Sequence, residues 1–237
     1  MARCAAILAG GLGTRLRAVL DDRPKVMAPV AGRPFISHLL DQLADSGMER
    51  VVLCTGYLAA MIRDELGESY RGMELLYSVE ESPLGTGGAL RLAAGLVSGE
   101  RLLVLNGDSY CDCRLADLVA AHSASGAYAA MALARVEDVA RFGAVLTGAG
   151  SLVQRFSEKG GQSGPGWINA GIYLLPMELI RGMAADRQVS LERELFPEAV
   201  ARGLYGHRCT GLFIDIGVPE EYRRSQSIFA ARREENL

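Results

Sequence analysis

Short apolar runs alternate with helix-spaced apolar stretches through the first half of the chain. Cys4 to Ala9 is an unbroken apolar run of strand length. Phe35 to Ser46 places Phe35, Ile36, Leu39, Leu40 and Leu43 on one side at helical spacing, and Gly47 stands where such a helix ends. Val51 to Thr55 reads as a strand, Leu58 to Leu66 as a helix, Leu75 to Val79 as a strand and Gly88 to Leu96 as a helix. Arg101 to Leu105 is another apolar run, and it stops at Asn106-Gly107-Asp108. Continuous apolar runs suit strands buried on both faces, and their alternation with amphipathic helices is the βαβ rhythm. The pattern predicts an α/β fold: a three-layer, Rossmann-like mixed, mostly parallel sheet with helices on both faces.

From about Ala127 the rhythm changes. Tyr128 to Val136, Ala144 to Leu146, Leu152 to Phe156 and Ile168 to Leu175 are strand-like with turn residues between them, which predicts antiparallel strands extending the sheet. Helices are expected at Leu191 to Arg202 and Pro219 to Arg232, on either side of a last strand around Leu212 to Ile216. No linker, low-complexity tract or internal repeat interrupts the chain, so a single domain over 1–237 is expected. The absence of a hexapeptide period predicts no C-terminal β-helical extension.

Composition changes this picture little. The 237 residues are 49% hydrophobic and 22% charged, as in ordinary globular domains. A net charge of −3 without a basic run argues against nucleic acid as a partner. No apolar stretch reaches the roughly 18–20 residues that cross a bilayer, and Met1-Ala2-Arg3 does not open a signal peptide, so a cytoplasmic location and no membrane partner are expected. The five cysteines, at 4, 54, 111, 113 and 209, form no disulfide framework and read as reduced thiols. Cys111-Asp112-Cys113 has no second cluster or nearby histidine in sequence and reads as structural. His38, His122 and His207 show no metal-ligand spacing, and no G-x-S-x-G elbow is present. Tyr222, Ile228 and Phe229 on the C-terminal helix either cover the sheet or leave a face for a homodimer.

Chemistry concentrates just after predicted strands, where open α/β sheets bind their ligands. Leu8-Ala9-Gly10-Gly11-Leu12-Gly13-Thr14-Arg15-Leu16 is a glycine-rich loop following the first strand, and Pro24-Lys25 comes soon after. Glycines at 10, 11 and 13 let backbone N–H groups approach phosphate oxygens, and Arg15 and Lys25 add positive charge, so a nucleoside triphosphate is expected here. The spacing is neither a P-loop nor the dinucleotide G-x-G-x-x-G, since Leu16 stands where the last glycine belongs. Asp108 ends one strand at the same sheet edge, and Asp215 interrupts the apolar run Phe213 to Ile216. A carboxylate inside an apolar strand needs a partner or a cation, and two facing a triphosphate suggest Mg²⁺. Pro83-Leu84-Gly85-Thr86-Gly87-Gly88-Ala89 is a second glycine-rich segment, whose amides and Thr86 hydroxyl suit the edge of a base, although Gly-Gly also marks plain loops.

In order along nearly the whole chain, these segments resemble the sugar-1-phosphate nucleotidyltransferase family. The likeness extends to Pro24-Lys25-Val26-Met27, Glu158-Lys159, Asn169-Ala170-Gly171-Ile172-Tyr173 and Asp215-Ile216-Gly217, with Val26 where the family usually has proline. It implies Mg-dependent transfer of a nucleotidyl group from an NTP to a sugar 1-phosphate, releasing pyrophosphate. By the same resemblance Arg15, Lys25 and Asp108 are catalytic, and Leu8, Ala9, Gly10, Gly11, Gly13, Thr14, Gly85, Thr86, Gly88, Asn106 and Gly107 line the nucleotide. Glu158, Lys159, Asn169 and Gly171 meet the sugar phosphate, and Asp108 with Asp215 holds Mg²⁺. Met27-Ala28-Pro29-Val30, Arg33-Pro34-Phe35, Glu81 to Ala89, Ser190-Leu191-Glu192 and Phe196-Pro197 are most similar to the branch using GTP and D-glycero-D-manno-heptose 1-phosphate. Mannose-1-phosphate guanylyltransferases and uridylyl or thymidylyl relatives share several of these features.

Overall fold

The computed structural model describes residues 3–11, 23–157, 159–185 and 187–235. The chain opens with β1 (Cys4–Leu8) and a small hairpin of β2 (Pro29–Val30) and β3 (Arg33–Pro34), then α1 (Phe35–Asp45) and β4 (Arg50–Thr55). It continues through α2 (Ala59–Leu66), β5 (Ser69–Tyr70), β6 (Met73–Val79), α3 (Gly85–Ala93) and β7 (Arg101–Asn106). Then come β8 (Ser109–Cys111), α4 (Leu115–Ser125), β9 (Ala129–Val136), β10 (Val145–Thr147), β11 (Val153–Phe156) and β12 (Gly166–Pro176). The chain ends with α5 (Met177–Arg181), α6 (Phe196–Arg202), β13 (Leu204–Cys209), β14 (Phe213–Asp215) and α7 (Pro219–Glu235).

Eight strands form the central sheet in the order β13-β9-β12-β7-β1-β4-β6-β5. Strand β1 pairs in parallel with both β4 and β7, β4 with β6, and β9 with β13. Alternating residues of β1 feed two cores. Ala5 and Ile7 meet α1 residues Phe35, Leu39 and Leu43, whereas Cys4 and Ala6 belong with Leu90 and Ala93 of α3 and Phe196 of α6. That division makes three layers, as the apolar pattern predicts. Phe229 of α7 is spent inside the chain, edge-on to Phe35 at 6.2 Å and to Tyr110 at 5.0 Å.

The second half departs from the sequence reading in several places, beginning with α4 and α5, which that reading lacks. Within the central sheet only β12 and the short β5 run antiparallel; β9 keeps the parallel direction. Strands β10 and β11 form a separate hairpin, and β14 pairs antiparallel with β8 outside the main sheet. The sequence reading has no strand where β13 lies: Leu-Tyr-Gly-His-Arg-Cys is an edge strand whose mixed polarity gives no period-2 signal. The helix expected from Leu191 is a π turn over Leu191–Leu195 followed by α6. Pro197 has no N–H, so the α-helical ladder cannot run unbroken across that junction.

Phe196 is buried between the Tyr173 ring at 5.0 Å and the Phe156 ring at 5.7 Å, joining α6 to β12 and β11. Phe196→Ala is expected to cost about 3–5 kcal/mol through lost burial and the cavity left behind. Urea unfolding measures it, and a loss below about 1 kcal/mol would show that the layer recloses around the gap.

Candidate active site

Sheet order reverses around β1: the chain moves outward through β4 and β6, then returns to β7 on the other side. Ligands of open α/β sheets bind at such a switch point, beyond the strand C-termini. The tails of β1 and β7 meet there, with Gly107 N donating to Leu8 O at 2.9 Å, while Ala9 N donates to Cys54 O at 2.8 Å. Gly10 and Gly11 follow directly, Gly11 exposed. Gly13, Thr14, Arg15 and Glu158 lie outside the described residues.

Three charged side chains converge beside this crevice. Lys25 Nζ lies 2.7 Å from Asp108 Oδ2 and 3.9 Å from Asp215 Oδ1. The lysine side chain is only 14% exposed, and those carboxylates offset the desolvation of its ammonium. Pairing of β8 with β14 sets Asp215 opposite Ser109, and Ile216 N donates to Asp108 O at 3.0 Å, so segments far apart in sequence are adjacent in space. Arg141 approaches Asp215 Oδ2 at 3.6 Å from the other side. Gly217 N donates to Asp215 Oδ1 at 2.7 Å, and a Cβ on Gly217 would fall 2.7 Å from that oxygen and 2.8 Å from Lys25 Nζ.

A cleft of about 370 Å³ opens over these groups, with Lys159, Asn169 and Glu192 also on its wall. Its floor is a polar relay. Asn106 Nδ2 and Asn169 Nδ2 donate to the Tyr173 hydroxyl at 3.3 and 2.9 Å, and burial pushes that phenol up, keeping it neutral. Asn169 Oδ1 accepts from Gly171 N at 2.9 Å, where β12 bulges. Gly171 has φ 77°, and its missing Cβ clears Ser109 Oγ, which would lie 2.5 Å away. Asn106 Oδ1 and Ser109 Oγ are buried without a hydrogen-bond partner among the described residues. Buried polar atoms are almost always paired, so two orphans in one cleft point to a ligand.

The second glycine segment begins α3. Gly85 has φ 73°, and a Cβ there would strike Val189 O at 2.6 Å. Gly87 N donates to Val189 O at 2.8 Å, and Thr86 Oγ1 accepts from Leu191 N at 2.9 Å. A Cβ on Gly88 would meet Leu84 and Arg187 O. In the described structure these groups dock α3 against residues 187–191.

The sequence reading misses Glu80 and Arg141. Glu80 follows β6 as Asp108 follows β7, and its carboxylate crosses to the ends of β4 and β1. A Cβ on Gly10 would sit 2.7 Å from Glu80 Oε1, and one on Gly56 2.8 Å from Glu80 Cγ. Leu84 N donates to Glu80 Oε2 at 3.1 Å, and burial pushes the carboxyl pKa upward. The strand-end rule that selects Asp108 also selects Glu80. Arg141 carries no comparable local signal.

The chain belongs to the nucleotidyl transferase family, whose profile matches residues 4–229. It is 36% identical over 223 residues to the D-glycero-alpha-D-manno-heptose 1-phosphate guanylyltransferase of Aneurinibacillus thermoaerophilus, covering 94% of this chain and 96% of that protein. It is 38% identical over 227 residues to the mannose-1-phosphate guanylyltransferase of Mycobacterium tuberculosis, covering 94% of this chain but 63% of that protein. The chain thus spans less than two thirds of the mycobacterial enzyme. The crystal structure of HddC from Yersinia pseudotuberculosis complexed with GMP-PN superposes with a TM-score of 0.85 at 33% identity, covering 97% of this chain and 100% of that one. The fold and family expected from the motifs are borne out.

Gly217→Ala tests how tightly the charged trio is set. The nearest atoms that must yield are ends of the Asp215 and Lys25 side chains, so the disturbance falls on the site more than on the fold. The expected result is a fall in kcat of about 10–100-fold with a urea midpoint close to wild type. Unchanged kcat would show that the spacing of Lys25 and Asp215 is not critical.

Proposed function

We propose that the chain transfers the guanylyl group of GTP to D-glycero-D-manno-heptose 1-phosphate, releasing pyrophosphate. The observation that carries this reading is the convergence of Lys25, Asp108 and Asp215 at the sheet's switch point, beside the unpaired Asn106 Oδ1 and Ser109 Oγ. A sugar-phosphate oxygen bonds to the α-phosphorus of GTP while the bond to the β-phosphate bridging oxygen breaks, and pyrophosphate leaves with that electron pair. The phosphate monoester is already anionic at neutral pH, so no general base is needed.

Both reactants are polyanions, and positive charge must offset their repulsion. Lys25 and Arg15 are assigned to the triphosphate and Lys159 to the sugar phosphate. Asp108 and Asp215 are hard oxygen donors on an open cleft, a donor set that fits Mg²⁺. Bound there, the ion would neutralise phosphate charge near the reacting centre. Glu158, Asn169 and Gly171 are assigned to the sugar side. The orphaned Asn106 Oδ1 and Ser109 Oγ offer one acceptor and one hydroxyl to a polyhydroxylated substrate.

Glu80 supports guanine. An ionised carboxylate only accepts hydrogen bonds, and guanine presents adjacent N1–H and N2–H donors on one edge, whereas uracil and thymine present a single N3–H. The heptose relative matches over 96% of its own length, which supports heptose phosphate. The 38% identity to the mycobacterial enzyme supports mannose 1-phosphate as the second reading. Pyrophosphate release from five nucleoside triphosphates against heptose, mannose and glucose 1-phosphates separates them. GTP with heptose 1-phosphate is expected to give the highest kcat/KM, and a higher value with another pair overturns the assignment.

Lys25→Ala is expected to lower kcat by roughly 10²–10³-fold, with circular dichroism unchanged; near-normal turnover would remove its role. Glu80→Gln puts an amide N–H before guanine donors, and kcat/KM for GTP is expected to drop by about 10–100-fold, with UTP affected less. An equal loss for both nucleotides would assign Glu80 to the loop architecture instead.

A further inference from the structure

His207 and Cys209 lie two apart on β13 and share one face of that strand, while Cys111 ends β8 and Cys113 follows it in a tight turn closed by Cys113 N donating to Cys111 O at 2.7 Å. Separated by almost a hundred residues, the two pairs face one another in the fold. The ligand atoms of Cys113, His207 and Cys209 all lie within 4.8 Å of one another. The Cys111 and Cys113 thiols lie close to the Cys209 sulfur, and all three are free thiols with 1–5% exposure. His207 is partly exposed at the edge of the group.

We propose that Cys113, His207 and Cys209, with Cys111 as fourth donor, form a site for one thiophilic divalent metal ion of the zinc class. Three sulfurs and one imidazole are a donor set that tetrahedral structural zinc takes, with bonds of about 2.3 Å to sulfur and about 2.0–2.1 Å to nitrogen. Those bonds place neighbouring donors roughly 3.5–3.8 Å apart, so the separations among Cys113, His207 and Cys209 close by side-chain adjustments of about one ångström. The backbone under the first pair is already fixed. Gln42 Nε2 donates to Cys111 O at 2.8 Å and Cys113 O at 2.9 Å, and Asp112 N donates to Leu212 O at 2.7 Å. Such supporting bonds orient metal ligands before the ion arrives.

The position gives the ion a task separate from the charged cleft. Strand β13 is a sheet edge paired to β9 alone in the main sheet, and β8 with β14 forms a detached ribbon. An ion held by both pairs would fasten edge to ribbon. Cys111 pairs with Phe213, two residues from Asp215, so this fastening lies on the same ribbon as the carboxylates.

The test uses the full chain without a histidine tag, reduced and stripped with a chelator, then titrated with Co²⁺ alone and afterwards with Zn²⁺. One equivalent of cobalt is expected to give thiolate-to-metal charge-transfer absorption with the intense visible bands of tetrahedral cobalt, and zinc is expected to displace it. Cobalt on the Asp108 and Asp215 carboxylates gives no such sulfur band. Cys209→Ala and His207→Ala are expected to lose or weaken the tetrahedral spectrum, and Cys4→Ala to keep it. Absence of the sulfur band in folded wild type overturns the proposal, whether or not the variants fold. So does a spectrum unaltered in both folded ligand variants, or a disulfide that joins these cysteines in the alkylated native protein.

Discussion

Lys25 lies between Asp108 and Asp215, and each carboxylate is delivered by a different strand end. The lysine is largely buried, so neither its charge nor the closeness of the two acids is tolerable alone: remove the ammonium and two carboxylates face each other, remove an acid and a buried cation loses its partner. The trio is therefore a joint requirement. Meeting it takes the β8–β14 pairing, the Ile216 to Asp108 backbone bond and a residue without a side chain at 217. The remaining sheet holds this ribbon against the crevice between β1 and β7.

Much of the fold follows from apolar spacing. Strands β1, β4 and β7 are buried on both faces, and α1 carries a single apolar face, so local pattern and tertiary position agree. The reading weakens where burial is one-sided or residues are small. Helix α4, Leu-Ala-Asp-Leu-Val-Ala-Ala-His-Ser-Ala-Ser, buries little beyond Leu115, Leu118 and His122, and β13 has no alternation to detect. Strand direction was misjudged beyond Ala127 because turn residues between strands do not say whether the chain returns beside its neighbour. In fact α4 precedes β9 and α6 precedes β13, giving crossovers that keep those strands parallel.

The site divides in the same way. Asp108 and Asp215 are legible because a charge in or just beyond an apolar run has few structural uses, and Lys25 because it follows the glycine-rich loop. Glu80 obeys the same rule, one residue beyond β6, and the sequence reading omits it. Arg141 and Ser109 reach the cleft by approach between distant elements, and nothing in their local sequence announces it. The Cys111-Cys113 pair belongs here too: it has no second cluster near it in sequence, and the fold brings His207 and Cys209 to Cys113.

Glycines record how closely something approaches, without recording what. At Gly217 the visitors are the Asp215 carboxylate and the Lys25 ammonium, and at Gly10 the Glu80 carboxylate; at Gly85 the visitor is the Val189 carbonyl. The two glycine-rich segments look alike in sequence, yet the second is occupied by the chain's own backbone, with Gly87 N–H and the Thr86 hydroxyl engaged by residues 189 and 191. That engagement couples α3 to the turn bearing Glu192, which reaches the cleft wall. The second segment thus contributes to the site by fixing one side of it, and Glu80, bonded through Leu84 N to the start of that segment, connects this side to Gly10 and the tail of β1.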